Sequence, residues 1–179
     1  MSSSDSHSKS RLQVSTAPAG AAGQGASASF RLDQQLCFAL YACSKEVTRL
    51  YRPMLQELGL TYTQYVTLLS LWEEDGVAVK CLGKRLYLDS GTLTPLLKKL
   101  EASGFVNRVR DSVDERVLRV FLTEKGAGLR EKASSIPERL CKISSSMKLE
   151  ELDELRIKVQ QLNELIQHHY EEESEDGYH

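Results

Sequence analysis

The sequence predicts a mainly α-helical protein with one small β-hairpin, an α+β chain in which helices flank the strands on both sides. Three observations carry this. Apolar residues recur at three- and four-residue spacing through most of the chain. One stretch, 105–122, changes to Val- and Phe-rich runs of strand length around a polar centre. Hydrophobic residues make up 41% of 179, enough to bury a core in one domain with extensions.

The elements follow in order. Ser, Ala and Gly supply 18 of the first 30 residues, so 1–29 is expected to be a flexible tail without a core. Leu36, Leu40, Cys43, Val47, Leu50 and Met54 then form one apolar stripe. The stripe predicts a long helix over roughly 32–57, ended by a left-handed Gly59. Thr61 or Thr63 caps the next helix, which carries Tyr65, Leu68, Leu69 and Trp72 and closes at Gly76. A short helix over 79–86 turns Leu82 and Leu86 inward. Asp89 and Ser90 offer caps for a further helix ending at Gly104. Thr94-Pro95, read locally, would start that helix four residues later; the earlier start is taken. FVNRVR and VLRVFLT are strand-like and flank the turn-prone DSVDER, which makes a hairpin with a charged tip. Thr123 caps the helix after it. From residue 149, Leu152, Leu155, Val159, Leu162 and Ile166 repeat at 3-4-3-4, a helix–helix seam. The end, EEESEDGYH (171–179), is expected to be a mobile acidic tail.

Composition excludes several classes. No stretch approaches the ~18–20 apolar residues that span a bilayer, and MSSSDSHSKSRLQ lacks the apolar centre of a signal peptide. A cytoplasmic protein with no membrane partner is expected. Cys37, Cys43, Cys81 and Cys141 show no C-x-x-C spacing, and His7, His168, His169 and His179 lie in the flanks. No metal site, no cofactor and no Cys–His catalysis are expected from such a set.

Charge is uneven. Residues 77–119 hold 9 basic and 5 acidic side chains, and 120–149 hold 6 and 3. Residues 150–179 hold 2 and 10. A formal net charge of −2 therefore hides a basic middle suited to phosphates.

Two short helices joined by a tight turn, the second beginning LDSGTLTPLLKKLE, fit a helix-turn-helix. The second helix would present Ser90, Thr92 and Thr94 to base edges and Lys98 and Lys99 to phosphates, with Leu93, Leu96, Leu97 and Leu100 inward. The hairpin makes a wing. Arg108 and Arg110 share one strand face. Arg116 sits at the tip, within reach of a minor groove, and Asp114 can hold it by an ion pair. The plain alternative is a small α+β domain with solvated cations. Helix–helix–wing order together with clustered charge favours DNA binding.

These residues carry a resemblance. DERVLRVFLTEKG (114–126) resembles the wing signature of the MarR family of winged helix-turn-helix regulators, Asp-x-Arg, five residues, then Leu-Thr. LGKRLYLDSGTLTPLLKKLEASGFVNR (82–108) resembles that family's recognition segment. LDQQLCFALYACSKEVTRLYRPMLQELGLTYTQY (32–65) resembles its organic-hydroperoxide-sensing branch, the OhrR proteins. The resemblance implies a homodimeric, cytoplasmic repressor of operator DNA that is not an enzyme. Residues 30–60 and 124–170 would form its helical dimerisation region and 61–123 its winged DNA-binding region. It implies a redox-sensing Cys37 facing the hydroxyls of Tyr51 and Tyr62 of the second subunit, with Tyr41 nearby. Some members carry a resolving cysteine near the position of Cys141; others are capped by small thiols. The expected controlled gene is a peroxide-detoxifying thiol peroxidase.

The residues agree in part. Cys37 flanks the apolar stripe, and Tyr41 lies one turn on, at i+4. No cation stands one turn away, so phenolic donors are the expected support for a thiolate. The expected oxidant is an organic hydroperoxide entering an apolar pocket near Phe38, Tyr51 and Tyr62. Cys43 lies on the stripe and is expected to be packed; Cys81 has no assigned role. Three other readings stand beside this one. They are a regulator released by a small aromatic ligand, a thiol peroxidase with turnover, and an interaction protein using only its helical seams.

Overall fold

The structure is a computed structural model that describes residues 31–136 and 148–176. A 3-10 turn at Leu32–Gln34 leads into α1 (Leu36–Glu57), α2 (Tyr62–Glu73), β1 (Val77–Ala78), α3 (Val79–Leu86) and α4 (Ser90–Ala102). Then come β2 (Val106–Arg110), β3 (Leu118–Leu122), α5 (Glu124–Ala133) and α6 (Leu149–Asp176). This is the mainly helical architecture with a small sheet that the periodicity predicts. The chain divides into two compact units between Leu40 and Tyr41. The expected N-terminal tail and Cys141 lie outside the described residues.

In the first unit, Arg31 bonds the Asp33 carboxylate at 2.7 and 3.1 Å beside the 3-10 turn. The turn stands where a continuous helix from residue 32 was expected. Leu32 and Leu36 are exposed.

In the second unit, the core draws Met54 and Leu55 from the end of α1 and Tyr65, Leu68 and Leu71 from α2. Leu82 of α3 and Leu93, Leu96, Leu97 and Leu100 of α4 join them. Val106, Val120 and Leu129 close it from the sheet and α5. Each leucine fully removed from water here contributes about 1.5–3 kcal/mol. Thr61, not Thr63, caps α2, and the reason lies three residues on. Its hydroxyl accepts from the Gln64 N–H at 3.3 Å while Gln64 Oε1 accepts the Thr61 N–H at 2.8 Å, a reciprocal capping box. Thr63 has no such partner three residues downstream.

The sheet has three antiparallel strands in the order β1-β3-β2, with Val77 opposite Val120 and Arg108 opposite the same valine. The two-residue β1 was not expected. It is too short for any periodic signal, and side chains from elsewhere fasten it. Asp75 accepts the Leu122 N–H at 2.8 Å, and Arg119 donates to the Gly76 carbonyl at 2.9 Å. Gly76 therefore does not end α2, which stops at Glu73. It holds a φ of +71° in the turn before β1, where an added Cβ would meet the Phe121 ring at 2.7 Å.

The α4 helix starts at Ser90, with Pro95 inside it, as the earlier-start reading expects. The α6 helix runs to Asp176, six residues into the stretch expected to be a mobile tail. No helix among the described residues is long and apolar enough to cross a membrane. The apolar seams of α1 and α6 stay largely uncovered within one chain: Val47, Leu155, Val159 and Ile166 are all exposed. Cys43, expected to be packed on that stripe, is exposed for the same reason.

Candidate nucleic-acid interface and thiol region

The helix-turn-helix is built around a tight joint. Tyr87 caps α3 in the left-handed region at φ 54°, and the Leu88 N–H bonds the Gly83 carbonyl at 2.9 Å. A side chain at Gly83 would meet the Leu88 carbonyl oxygen at 2.9 Å, so the turn requires glycine there. Asp89 then caps α4, accepting the Thr92 N–H and the Thr92 hydroxyl at 2.9 Å each. The Thr92 N–H, then its hydroxyl, hold the Asp89 carboxyl below the usual range. The cap ties the Thr92 hydroxyl as a donor, so only its lone pairs remain for an outside partner. Ser90, Thr92, Thr94, Lys98 and Lys99 are exposed, and the four leucines of α4 are buried. The structure thus places the five polar residues on one helix, exposed, with its leucines inward.

In the wing Arg108 and Arg110, two residues apart on β2, differ in their surroundings. Arg110 is exposed and Arg108 is half-buried. It is turned onto Glu101 of α4, its Nε and Nη2 on Oε2 at 3.0 and 2.5 Å and its backbone N–H on Oε1 at 3.1 Å. The carboxylate lies within side-chain reach of the strand, and pairing there satisfies a half-buried charge. Those bonds hold the Glu101 carboxyl below its ordinary value. Arg110 donates to the Glu115 carbonyl at 2.6 Å, bracing the tip. The Asp111 carboxylate accepts the Val113 and Asp114 N–H groups at 2.9 and 3.1 Å and pairs with Arg119. Arg119, then those two N–H groups, pull the Asp111 carboxyl down to about 2. Arg116 stands at the tip with a side chain 95% exposed. Asp114 accepts its backbone N–H at 3.0 Å but lies 3.9 Å from Nε, so it shapes the loop more than it neutralises the cation.

Sequence reading missed Asp111, Arg119, Glu101 and Tyr87. The first three act through partners 7 to 8 residues away across a turn, beyond the local spacing that helical patterns reveal. An exposed aromatic at a left-handed position has no periodic signature. A cavity of about 1070 Å³ opens between the helix-turn-helix and the wing, lined among others by Cys81, Lys84, Tyr87, Leu93 and Leu118.

The residues expected to serve the thiol reaction are divided between the units and are described separately. In the first, Cys37 is an exposed free thiol and Phe38 is exposed. In the second, the Lys45 ammonium donates to the Tyr41 hydroxyl at 3.2 Å and lies 5.2 Å from its ring centre. Tyr51 and Tyr62 meet edge to face, and Tyr51 also touches Tyr65 at 5.9 Å between centroids. Tyr65 leads on to Trp72, whose indole donates to the Gly126 carbonyl at 3.0 Å. Burial, then neighbouring Tyr62, pushes the Tyr65 hydroxyl up. A cleft of about 660 Å³ opens beside Tyr62. Lys45, Glu46, Arg49 and Arg52 line it together with Leu55 and Leu60, and Phe38 and Tyr51 are not among its lining residues.

Comparison with known proteins gives these features a context. Residues 49–133 match the family described as transcriptional regulator SarA/Rot. The chain is 58% identical over 106 residues to the HTH-type transcriptional regulator TtmR of Methylorubrum extorquens, covering 59% of this chain and 54% of TtmR. It thus spans about half the length of that relative. It is 51% identical over 114 residues to the organic hydroperoxide resistance transcriptional regulator of Bacillus subtilis, covering 64% of this chain and 78% of that one. AbfR of Staphylococcus epidermidis resembles it in structure. The reduced AbfR bound to DNA matches with a TM-score of 0.64 at 38% identity, over 76% of this chain and 93% of AbfR. A disulfide-formed AbfR matches with a TM-score of 0.51 at the same identity, over 78% and 92%.

Proposed function

The chain belongs to the MarR family of winged-helix transcriptional regulators, in the branch that holds the organic hydroperoxide resistance regulator, and on that premise we propose that it is a redox-sensing repressor. The observation that carries this reading is 51% identity to a regulator named for organic hydroperoxide resistance. A homodimer binds operator DNA while Cys37 is reduced. One α4 enters the major groove of each half-site, and Arg116 of each wing reaches the adjacent minor groove. The uncovered stripes of α1 and α6 support a second copy as their cover, with residues 61–123 as the DNA-binding region.

Release is a thiol reaction. The Cys37 thiolate attacks the terminal oxygen of an organic hydroperoxide. The O–O bond breaks, the sulfur becomes a sulfenic acid, and the alkoxide takes a proton and leaves as an alcohol. The thiol of Cys141 in the second copy, or a small thiol, then forms a disulfide and releases water. The phenols of Tyr51 and Tyr62 of the second copy, with Tyr41 nearby, support the thiolate by hydrogen bonding. The oxidised dimer changes the spacing of its two recognition helices. A difference of a few kcal/mol in DNA affinity then switches occupancy. AbfR, known both reduced on DNA and with a disulfide, lends support. The gene released is proposed to detoxify organic hydroperoxides.

The cleft beside Tyr62, lined by Lys45, Glu46, Arg49, Arg52, Leu55 and Leu60, favours a second reading, release by a small aromatic ligand without cysteine chemistry. One experiment separates the two. The protein is bound to a labelled fragment from upstream of its own gene, and cumene hydroperoxide is added. The wild type leaves the DNA and Cys37→Ser stays bound. Equal release of the mutant ends the thiol mechanism.

A further inference from the structure

We infer that Glu101 and Arg108 are a pair of positioning residues that lock the angle between the recognition helix and the wing, and that Arg108 reads no phosphate. The inference rests on the DNA-binding reading above and concerns how its two contact elements are held together. The passage from α4 to β2 is three residues long, Ser103 to Phe105, and Gly104 within it holds a φ of +72°. That turn is held along its backbone. The Phe105 N–H bonds the Leu100 carbonyl at 3.0 Å, the Thr123 hydroxyl donates to the Gly104 carbonyl at 2.6 Å, the Thr123 N–H to the Phe105 carbonyl at 3.1 Å and the Lys125 ammonium to the Ser103 carbonyl at 2.8 Å. None of these bonds ties a side chain of α4 to β2. Glu101 and Arg108 supply that tie, one on each side of the turn.

The chemistry suits a brace better than a groove contact. Glu101 accepts three hydrogen bonds from one residue, two from the guanidinium and one from the strand's own N–H. The carboxylate is therefore joined to the backbone of β2 as well as to its side chain. The side chains are 20% exposed for Arg108 and 35% for Glu101, against 95% for Arg116. Charged bonds of this kind, partly shielded from water, are among the stronger ones a protein makes. A carboxylate left unpaired near the DNA would repel phosphates, so the arginine's charge is already spent within the protein.

The test measures DNA affinity against salt concentration for the full chain carrying Glu101→Gln, Arg108→Ala or both, with Arg116→Ala as reference. Each phosphate contact contributes about 0.9 to the slope of log affinity against log salt. Each single variant of the pair is expected to weaken binding about tenfold, with the double variant no weaker and the slope unchanged. Arg116→Ala, by contrast, lowers the slope. In the DNA-free protein both single variants speed amide exchange across β2 while the melting point of the core stays near that of the wild type. The inference is overturned if Arg108→Ala lowers the slope while Glu101→Gln tightens binding, or if β2 exchange is unmoved. A wild-type protein that binds no DNA would instead sink the functional reading. The exchange measurement would still decide whether the pair braces the wing.

Discussion

Tyr51 of α1 and Tyr62 of α2 meet edge to face, with ring centroids 5.1 Å apart and planes inclined at 70°. Two phenols are thereby held in one place by ring packing worth about 0.5–1.5 kcal/mol, independent of their hydroxyls. Phenylalanine at either position keeps the packing and removes only the donor. The expected outcome is a normal melting curve with slower oxidation of Cys37 by cumene hydroperoxide. The loss should be about tenfold per hydroxyl, the effect of removing one hydrogen bond to a charged group worth about 1.5 kcal/mol. The check is the rate of sulfenic acid trapping. Wild-type rates in the doubly substituted protein would remove the phenols from the mechanism.

Gly126 and Gly128, two residues apart on α5, respond oppositely to alanine. At Gly126 an added Cβ would lie 2.0 Å from the Phe105 carbonyl oxygen, on backbone that cannot step aside. The Gly126 carbonyl also receives the Trp72 indole, so displacement breaks a second contact. Gly126→Ala is expected to cost about 3 kcal/mol. At Gly128 nothing lies within 4 Å of the same atom. Gly128→Ala should stabilise by about 0.5–1 kcal/mol through helix propensity alone. Urea denaturation of the two variants measures both.

The contrast between these glycines shows what a sequence discloses. Among the described residues the α4 helix was legible, because Leu93, Leu96, Leu97 and Leu100 must repeat at helical spacing to reach one core. The seams of α1 and α6 were equally legible as patterns, but their periodicity does not say whether the cover is the same chain or another. Polar joints were illegible. Arg108 reads as a cation on a strand face until Glu101 is seen beside it. Asp111 reads as a turn residue until Arg119 arrives from across the hairpin. Arg116 was legible, because a hairpin tip leaves a side chain nowhere to go but outward.

The Asp111–Arg119 pair predicts an acid response confined to the wing. The carboxyl's value falls from its ordinary 3.8 to about 2 in the folded protein, chiefly through Arg119. A group depressed by folding stabilises fully above its unfolded value and loses that contribution as pH falls through the folded one. Protection of the hairpin-tip amides, measured against an unstructured peptide at the same pH, should therefore be steady above about pH 4 and fall between about pH 4 and pH 2. Asp111→Asn should show low protection already at neutral pH and no further fall in that window. A wild-type profile that stays flat down to pH 2 would mean the pair does not hold the tip.

Arg116 stands apart from the other arginines of the wing. Its neighbours in the wing are occupied: Arg110 with the Glu115 carbonyl, Arg119 with Asp111, Arg108 with Glu101. Only the tip arginine keeps its guanidinium almost wholly in water, with a carboxylate no nearer than 3.9 Å. A surface contact so weak costs little to give up when a phosphate or a narrow groove arrives. Arg116→Ala should weaken DNA binding by about 1–3 kcal/mol and lower the salt slope by about one. Asp114→Ala should also weaken binding, although it removes a negative charge, because the Arg116 N–H loses the carboxylate that shapes the loop. Tighter binding by Asp114→Ala would mean that electrostatics, and not loop geometry, is what Asp114 contributes. Fluorescence anisotropy on one labelled duplex at several salt concentrations measures both variants.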